Sequence, residues 1–386
     1  MKIGIMTFWD SKENYGQQLQ CYALQKYLRD AGHDAYLIRY NNLGDGNKRT
    51  VWEKALKAFN PVKLFKYLLH KVAAAKRTRE LDKRSFDDFR NKYIKQSEKI
   101  YYSYNELKEN PPIADIYIVG SDQVWNPIYF PSIGKQVRAF FLDFGNSSTK
   151  RFSYAASFGK EKLDDDIIKI AAPLLQRFNY VTVRENSGIH VCKQCGINNA
   201  ECVPDPTMLL DANAYRALYK NEQLKKPDKP YCFLYFMCDG DAFNVQNVYD
   251  WAKKKNLEVV FVNAHYSQGR WSKYEITHAT IPEWIYLLEH AEYVVTNSYH
   301  CSVFSILFGK KFCVVPLSRK TSVNRFESLF ELFKIGRRYV NNTDFSVLDN
   351  DIDWQTIQNI FQYLCRDSKL LNVISELDKN KCLKFQ

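Results

Sequence analysis

No apolar run in the 386-residue chain approaches the roughly 18 residues a membrane-spanning helix needs, so a helical membrane span is not expected. Glycine and proline are scarce, at 15 and 12 residues, which excludes a fibrous protein. A content of 46% hydrophobic and 15% aromatic residues excludes a disordered one. A G-x-G-x-x-G after the first strand is missing, as is the phosphate-binding P-loop, so neither a dinucleotide dehydrogenase nor a P-loop enzyme is expected. No H-E-x-x-H or D-x-D-x-D-G motif, internal repeat or low-complexity tract occurs. Cys192, Cys195 and Cys202 form a C-x2-C-x6-C cluster, but a closed zinc site takes four ligands and only His190 is at hand to complete it. The expected reading is a helix end running into a turn at Gly196, with neither metal nor cofactor. Cys232, Cys301 and Cys313 sit in apolar surroundings, as reduced core thiols do. MKIGIMTFWD reads as a strand rather than a secretion signal, so a cytoplasmic address is expected.

The charge that is present is unevenly spread. The formal net charge is +12, and between Lys48 and Lys99 there are 16 Lys/Arg against 6 Asp/Glu, so nearly all of the excess lies in one segment. Within it Trp52, Leu56 and Phe59, then Leu64, Phe65, Leu68, Leu69 and Val72, recur at helical spacing on either side of Pro61. A basic helical insertion over 48–99 is therefore expected. It suits peripheral contact with an anionic membrane, or it caps a domain with a solvated cationic face. No nucleic-acid reader motif accompanies the charge, so nucleic acid is not an expected partner.

The length favours two domains. A strand at Lys2–Met6, a helix around Gln18–Ala31 and a strand at Ala35–Arg39 make a βαβ opening, and Asp115–Val119, Arg151–Ala155, Val181–Arg184 and Glu201–Pro204 read as further strands. The polar stretch Lys220–Pro230 is the best linker. After it, strands at Tyr231–Met237, Leu257–Val262, Tyr293–Thr296 and Lys311–Val315 alternate with helices at Ala242–Lys255, Pro282–His290 and Cys301–Phe308. The expectation is an α/β protein of two Rossmann-like domains, 1–220 and 221–386, facing a cleft.

Chemistry concentrates at strand ends. In TNSYHCSVFSILFG, Asn297 or Ser298 is an N-cap candidate for an apolar helix closed by Gly309, which places His300 at a helix N-terminus, where anions are attracted. His300 is then a candidate proton donor, or a hydrogen-bonded structural imidazole. In VGSDQVWNP, Gly120 allows close backbone approach, Ser121, Asp122, Gln123 and Asn126 supply donors and acceptors, and Trp125 offers a flat surface on which a sugar could stack. The other reading is a side-chain-stabilised turn with Trp125 in the core. Asn14-Tyr15-Gly16-Gln17 forms a ligand-facing turn before the first helix. Arg184 pairs with an anionic ligand or with a protein carboxylate, and Arg325 is a second anion clamp or an exposed arginine at a helix start.

NYGQQLQCYAL (14–24), GSDQVWNP (120–127), SYAASFG (153–159), VRENSG (183–188), VPDPTMLL (203–210) and TNSYHCSVFSILFGKKF (296–312), in that order, resemble the polysaccharide pyruvyl transferase family. The resemblance implies a fold similar to glycosyltransferase type B. It also implies transfer of the enolpyruvyl carbons of phosphoenolpyruvate, as donor substrate, onto two hydroxyls of one sugar, giving a cyclic ketal and phosphate during cell-surface or exopolysaccharide synthesis. The family's Arg-His pair falls on Tyr299 and His300, so Tyr299 stands where many members have Arg. On this footing His300 is the expected acid, Arg184, Asn297, Ser298 and Arg325 hold the donor, and Arg325 covers for the missing Arg. Asn14, Gly16, Ser121, Asp122, Gln123, Trp125 and Asn126 are expected to meet a glycan acceptor, lipid-linked or soluble. The alternatives are a nucleotide-sugar-dependent glycosyltransferase of the same fold and a catalytically silent glycan-binding protein.

Overall fold

The computed structural model describes residues 1–41, 72, 78–79, 81–129, 136–224, 227–237, 243–264, 274, 277–315, 323–366 and 369–382. In the first half the order is β1 (Lys2–Met6), α1 (Tyr15–Asp30), β2 (Asp34–Tyr40), α2 (Phe86–Tyr93), β3 (Gln96–Tyr101), α3 (Tyr104–Glu109), β4 (Ile116–Val119), α4 (Gln136–Phe140), β5 (Lys150–Ser153), α5 (Asp165–Leu175), β6 (Thr182–Val183), α6 (Asn186–Gln194), β7 (Glu201–Cys202) and α7 (Ala212–Tyr219). Strands such as IYIV at β4 are apolar throughout and buried at every position, the pattern of a sheet covered on both faces. They assemble as a parallel sheet, β3-β2-β1-β4-β5, and β6 and β7 pair parallel beside it through the bridges Phe152 to Tyr180 and Ala156 to Val183.

The second half repeats the theme with β8 (Tyr231–Phe236), α8 (Gln246–Lys254), β9 (Glu258–Asn263), α9 (Ile281–Glu289), β10 (Tyr293–Thr296), α10 (Tyr299–Leu307), β11 (Lys311–Val314), α11 (Val323–Phe333), α12 (Trp354–Arg366) and α13 (Lys369–Cys382). Its sheet is parallel in the order β11-β10-β8-β9. The molecule is thus built on two parallel sheets flanked by helices. In each, the chain reverses direction of travel across the sheet, between β1 and β4 in one and between β8 and β10 in the other. Crevices beyond the carboxyl ends of such strand pairs are where open α/β sheets bind ligands.

One apolar core joins the halves, running from Ile3 and Leu19 through Phe233 and Trp284 to Leu370 and Ile374. Tyr15 stacks on Trp284 with ring centroids 5.5 Å apart and donates its hydroxyl hydrogen to the Ala279 carbonyl at 2.6 Å. The fully buried Arg84 donates to the carbonyls of Asn263 and Ala264 at 2.6 and 2.8 Å, at the carboxyl end of β9. The last two helices return to the first half, where Lys369 pairs with Glu201 at 3.0 Å and the Cys365 thiol reaches the Met208 carbonyl.

Of the basic segment 48–99, Trp52, Leu56, Phe59, Leu64, Phe65, Leu68 and Leu69 lie outside the described residues. Its described end corrects the helical expectation. Gln96–Tyr101 is an edge strand, because Ser97 and Tyr101 turn inward while Glu98 and Lys99 face water. Arg90 is no surface charge either; it is buried and donates to the Ser11 carbonyl at 3.0 Å. No helix among the described residues is long and apolar enough to cross a membrane.

Candidate active site

The carboxyl ends of β8 and β10 are tied together by the turn that follows β10. Thr296 donates through Oγ1 to the Tyr235 carbonyl at 2.6 Å, and Asn297 Oδ1 accepts from the Met237 N–H at 2.7 Å. Ser298 then caps α10, its Oγ accepting from the Cys301 N–H at 3.4 Å. His300 is the second residue of that helix, as the sequence led us to expect. The side chains of Asn297 and Ser298 are committed to this scaffold.

His300 meets a residue the sequence reading did not single out. Its Nε2 lies 3.2 Å from Oδ2 of Asp205, which is wholly buried at the start of the turn Pro206–Met208. The same Oδ2 accepts from Ser121 Oγ at 2.8 Å and Arg184 Nη1 at 3.1 Å, while Oδ1 accepts from the Thr207 N–H and hydroxyl at 3.1 and 2.8 Å. Burial alone would raise the Asp205 carboxyl. The opposing charge and hydrogen bond of His300, then Arg184 and the Thr207 N–H, outweigh it and hold the group well below the usual carboxylate range. A carboxylate only accepts, so Nε2 carries the hydrogen of the His300 pair. That leaves Nδ1 for other work, and it has no hydrogen-bond partner among the described residues.

Nδ1 lies over the first turn of α1. A Cβ on Gly16 would collide with the imidazole, so only glycine lets α1 approach this closely. Asn14 caps α1 by accepting from the Gln17 N–H at 3.1 Å. The N-termini of α1 and α10 therefore converge on His300, one from each half, and first-turn N–H groups with their dipoles favour an anion there.

The loop after β4 forms the opposite wall. Gly120 has φ +115°, and a Cβ there would strike the Tyr154 carbonyl. Ser121 is fully buried, its N–H donating to Gln20 Oε1 at 3.0 Å, and Asp122 Oδ1 accepts from the Gln123 N–H at 2.8 Å. Asn126 is buried and donates to Gln123 Oε1 at 2.6 Å. The expectation that Trp125 offers a face to a sugar is corrected here. It is 2% exposed, stacks on Phe141 and donates to the Phe140 carbonyl at 3.0 Å, because the loop turns its ring into the core.

Arg184 is also buried, its side chain 1% exposed, with Asp205 at 3.1 Å and Asp122 and Glu185 each at 3.8 Å. Burial opposes its charge, but the three carboxylates more than offset that and raise its pKa. The protein-carboxylate alternative for Arg184 is thus present, although Nη2 has no hydrogen-bond partner among the described residues. Tyr299 fills the space between the two arginines, with its ring centroid 4.9 Å from the Arg184 guanidinium and 6.0 Å from that of Arg325. Burial, then the charge of Asp205, raises the Tyr299 phenol. The structure brings together Gly16, Ser121, Asp122, Arg184, His300 and Arg325 and adds Asp205 and Tyr299.

No group of three or more His, Cys, Asp or Glu able to hold a metal occurs among the described residues. Cys192 is buried at the end of α6, and that burial pushes its thiol up to about 12.

Comparison with known proteins gives a family model described as "Polysaccharide pyruvyl transferase" that matches residues 14–319. No curated protein matches the chain. Among solved structures, the chain is similar to an S. aureus MnaA–UDP co-structure at 11% identity and TM-score 0.49, covering 95% of this chain and 88% of that one. It is also similar to the Methanocaldococcus jannaschii UDP-GlcNAc 2-epimerase in complex with UDP-GlcNAc and UDP, at 10% identity and TM-score 0.48, covering 95% and 94%. The glycosyltransferase SnogD from Streptomyces nogalater aligns at 10% identity and TM-score 0.43, covering 95% of each chain. Likenesses at this level carry no argument about substrate or mechanism.

Proposed function

The chain belongs to the polysaccharide pyruvyl transferase family, and on that premise we propose how its residues carry a pyruvyl group onto a polysaccharide. The donor is phosphoenolpyruvate. Its phosphate and carboxylate take the anion-favouring space where the N-termini of α1 and α10 converge, with Arg325 and the Arg184 guanidinium as cationic partners. Arg325 supplies the charge that position 299, here Tyr, does not.

His300 Nδ1 gives its proton to the methylene carbon, and the electron pair of the double bond forms the new C–H bond. The adjacent carbon becomes cationic, and one sugar hydroxyl adds to it. The carbon–oxygen bond to phosphate then breaks, and the second hydroxyl closes the ketal. Of the two hydroxyl protons, one restores His300 and the other leaves on the phosphate. Asp205 acts through His300. It fixes the ring with Nε2–H pointing inward, which leaves Nδ1 as the nitrogen that faces the donor.

The observation that carries this reading is the His300–Asp205 pair set at the meeting of two helix N-termini. We read the two halves as a Rossmann-like pair of glycosyltransferase type B, a reading supported by the parallel sheet and single reversal of strand order in each half. Half-buried Asp122 and Gln123, together with Asn14, meet the acceptor sugar. A cytoplasmic setting, with the cationic segment 48–99 against an anionic membrane that bears a lipid-linked acceptor, rests on the charge count of that segment.

The test is release of inorganic phosphate from phosphoenolpyruvate by the purified protein with a glycan acceptor, run beside nucleotide-sugar donors. Acceptor-dependent phosphate release is expected. Sugar transfer from a nucleotide sugar with no phosphate release would overturn the proposal.

A further inference from the structure

A cavity of about 660 Å³ opens between α6 of the first half and α11 of the second. Ligand sites commonly fall in the range of about 300–1,000 Å³. Both walls begin at the arginines of the candidate site: Asn186 follows Arg184 by two residues, and Asn324 immediately precedes Arg325. Those arginines flank Tyr299, so a chain lying in the groove leads toward His300. One hydrogen bond crosses between the halves here, from Asn324 Nδ2 to Glu161 Oε1 at 2.6 Å.

The lining includes amides and hydroxyls such as Asn186, Ser187, Asn324 and Ser328, an imidazole at His190, and carboxylates at Glu161 and Glu331. Glu327 is a third carboxylate but is already paired with Arg337 at 3.3 Å, and Lys162 is the lysine of the lining. Paired donors and acceptors of this kind match sugar hydroxyls. Three carboxylates against one lysine disfavour phosphates and uronates here, even though the chain as a whole is cationic. We propose that this groove is the subsite for the acceptor glycan beyond the ketal-forming sugar, and that it takes uncharged or amine-bearing sugar units and excludes anionic ones. The assignment rests on the pyruvyl-transfer reading and adds the acceptor's chemical class to it. It also implies that an oligosaccharide is a better acceptor than its terminal monosaccharide.

The experiment uses the full-length protein on a printed array of neutral, amine-bearing, uronate-bearing and phosphate-bearing glycans, with phosphoenolpyruvate affinity measured separately by calorimetry. Wild type should be retained by neutral or amine-bearing glycans. Asn186→Ala with Ser328→Ala should weaken that retention about tenfold, as expected for losing two hydrogen bonds. Ser187→Trp, which fills the groove, should abolish it, and phosphoenolpyruvate affinity should stay the same in both variants, which also reports that they are folded. Retention only by anionic glycans, retention by none, or variants that bind like wild type would each overturn the groove. Loss of phosphoenolpyruvate binding in wild type would instead count against the donor assignment and leave the array result to be read by itself.

Discussion

Around Asp205, every charge is answered by protein: a serine, an arginine, a histidine and a threonine close on one carboxylate that water does not reach. Two residues beyond Arg184 the groove between α6 and α11 holds glutamates, amides and hydroxyls that water still solvates. The first region is organised before any ligand arrives and is intolerant of change, because removing one member strands a buried charge. The second is adaptable, because water substitutes for whatever is removed. Chemistry that must orient a proton belongs in the first kind of region, and recognition of a variable polymer belongs in the second.

The largest expected effect lies at the centre of the buried region. His300→Gln should lower turnover by about 10²–10⁴-fold with circular dichroism unchanged, since the role proposed for it is proton transfer rather than packing. A residual rate within tenfold of wild type would move the acid elsewhere. Arg184→Met leaves Asp205, Asp122 and Glu185 without their shared cation. A loss of about 3–5 kcal/mol in unfolding free energy is expected, read from urea midpoints. A neutral outcome would mean that water enters the cluster.

Acid sharpens the contrast further. Asp205 is held below the ordinary carboxylate value of about 3.9, so its contribution to stability is fully present above that value and is lost as pH falls through the lower folded one. The stability gap between wild type and Asp205→Asn should narrow as pH falls below about 4. An equal gap at pH 3 and pH 7 would refute the depressed titration. At the groove the same kind of measurement should find little. Arg337→Ala breaks a pair whose side chains are 80% and 27% exposed, and should cost at most about 1 kcal/mol.

How legible these regions were in the sequence follows the same division. The strand Tyr293–Thr296 and the capped helix bearing His300 could be read in place, because apolar runs and an N-cap are local signals. The strand expected at Leu257–Val262 is found one residue on, at Glu258–Asn263, and the helix expected from Gln18 begins at Tyr15 because Asn14 caps it. Asp205 could not be found this way. Its partners Ser121, Arg184 and His300 lie 84, 21 and 95 residues away, and the only local sign was a proline-bounded turn in VPDPTMLL. Trp125 was misread for a related reason: nothing within GSDQVWNP reveals that Phe141, Phe158 and Phe178 wait to enclose it. Strand β3 hid inside a basic stretch because an edge strand keeps charged residues on its open side.

Arg84 and Tyr15 close the seam between the halves inside the apolar core rather than across water. Domains joined only by a linker can swing and can melt separately, whereas a dry, continuous junction couples them. On heating, neither sheet can come apart without exposing the other's buried face, so a calorimetric trace should contain one endotherm in place of two. His300 and Asp205 sit on opposite sides of that seam, and their pairing should be lost in that single transition.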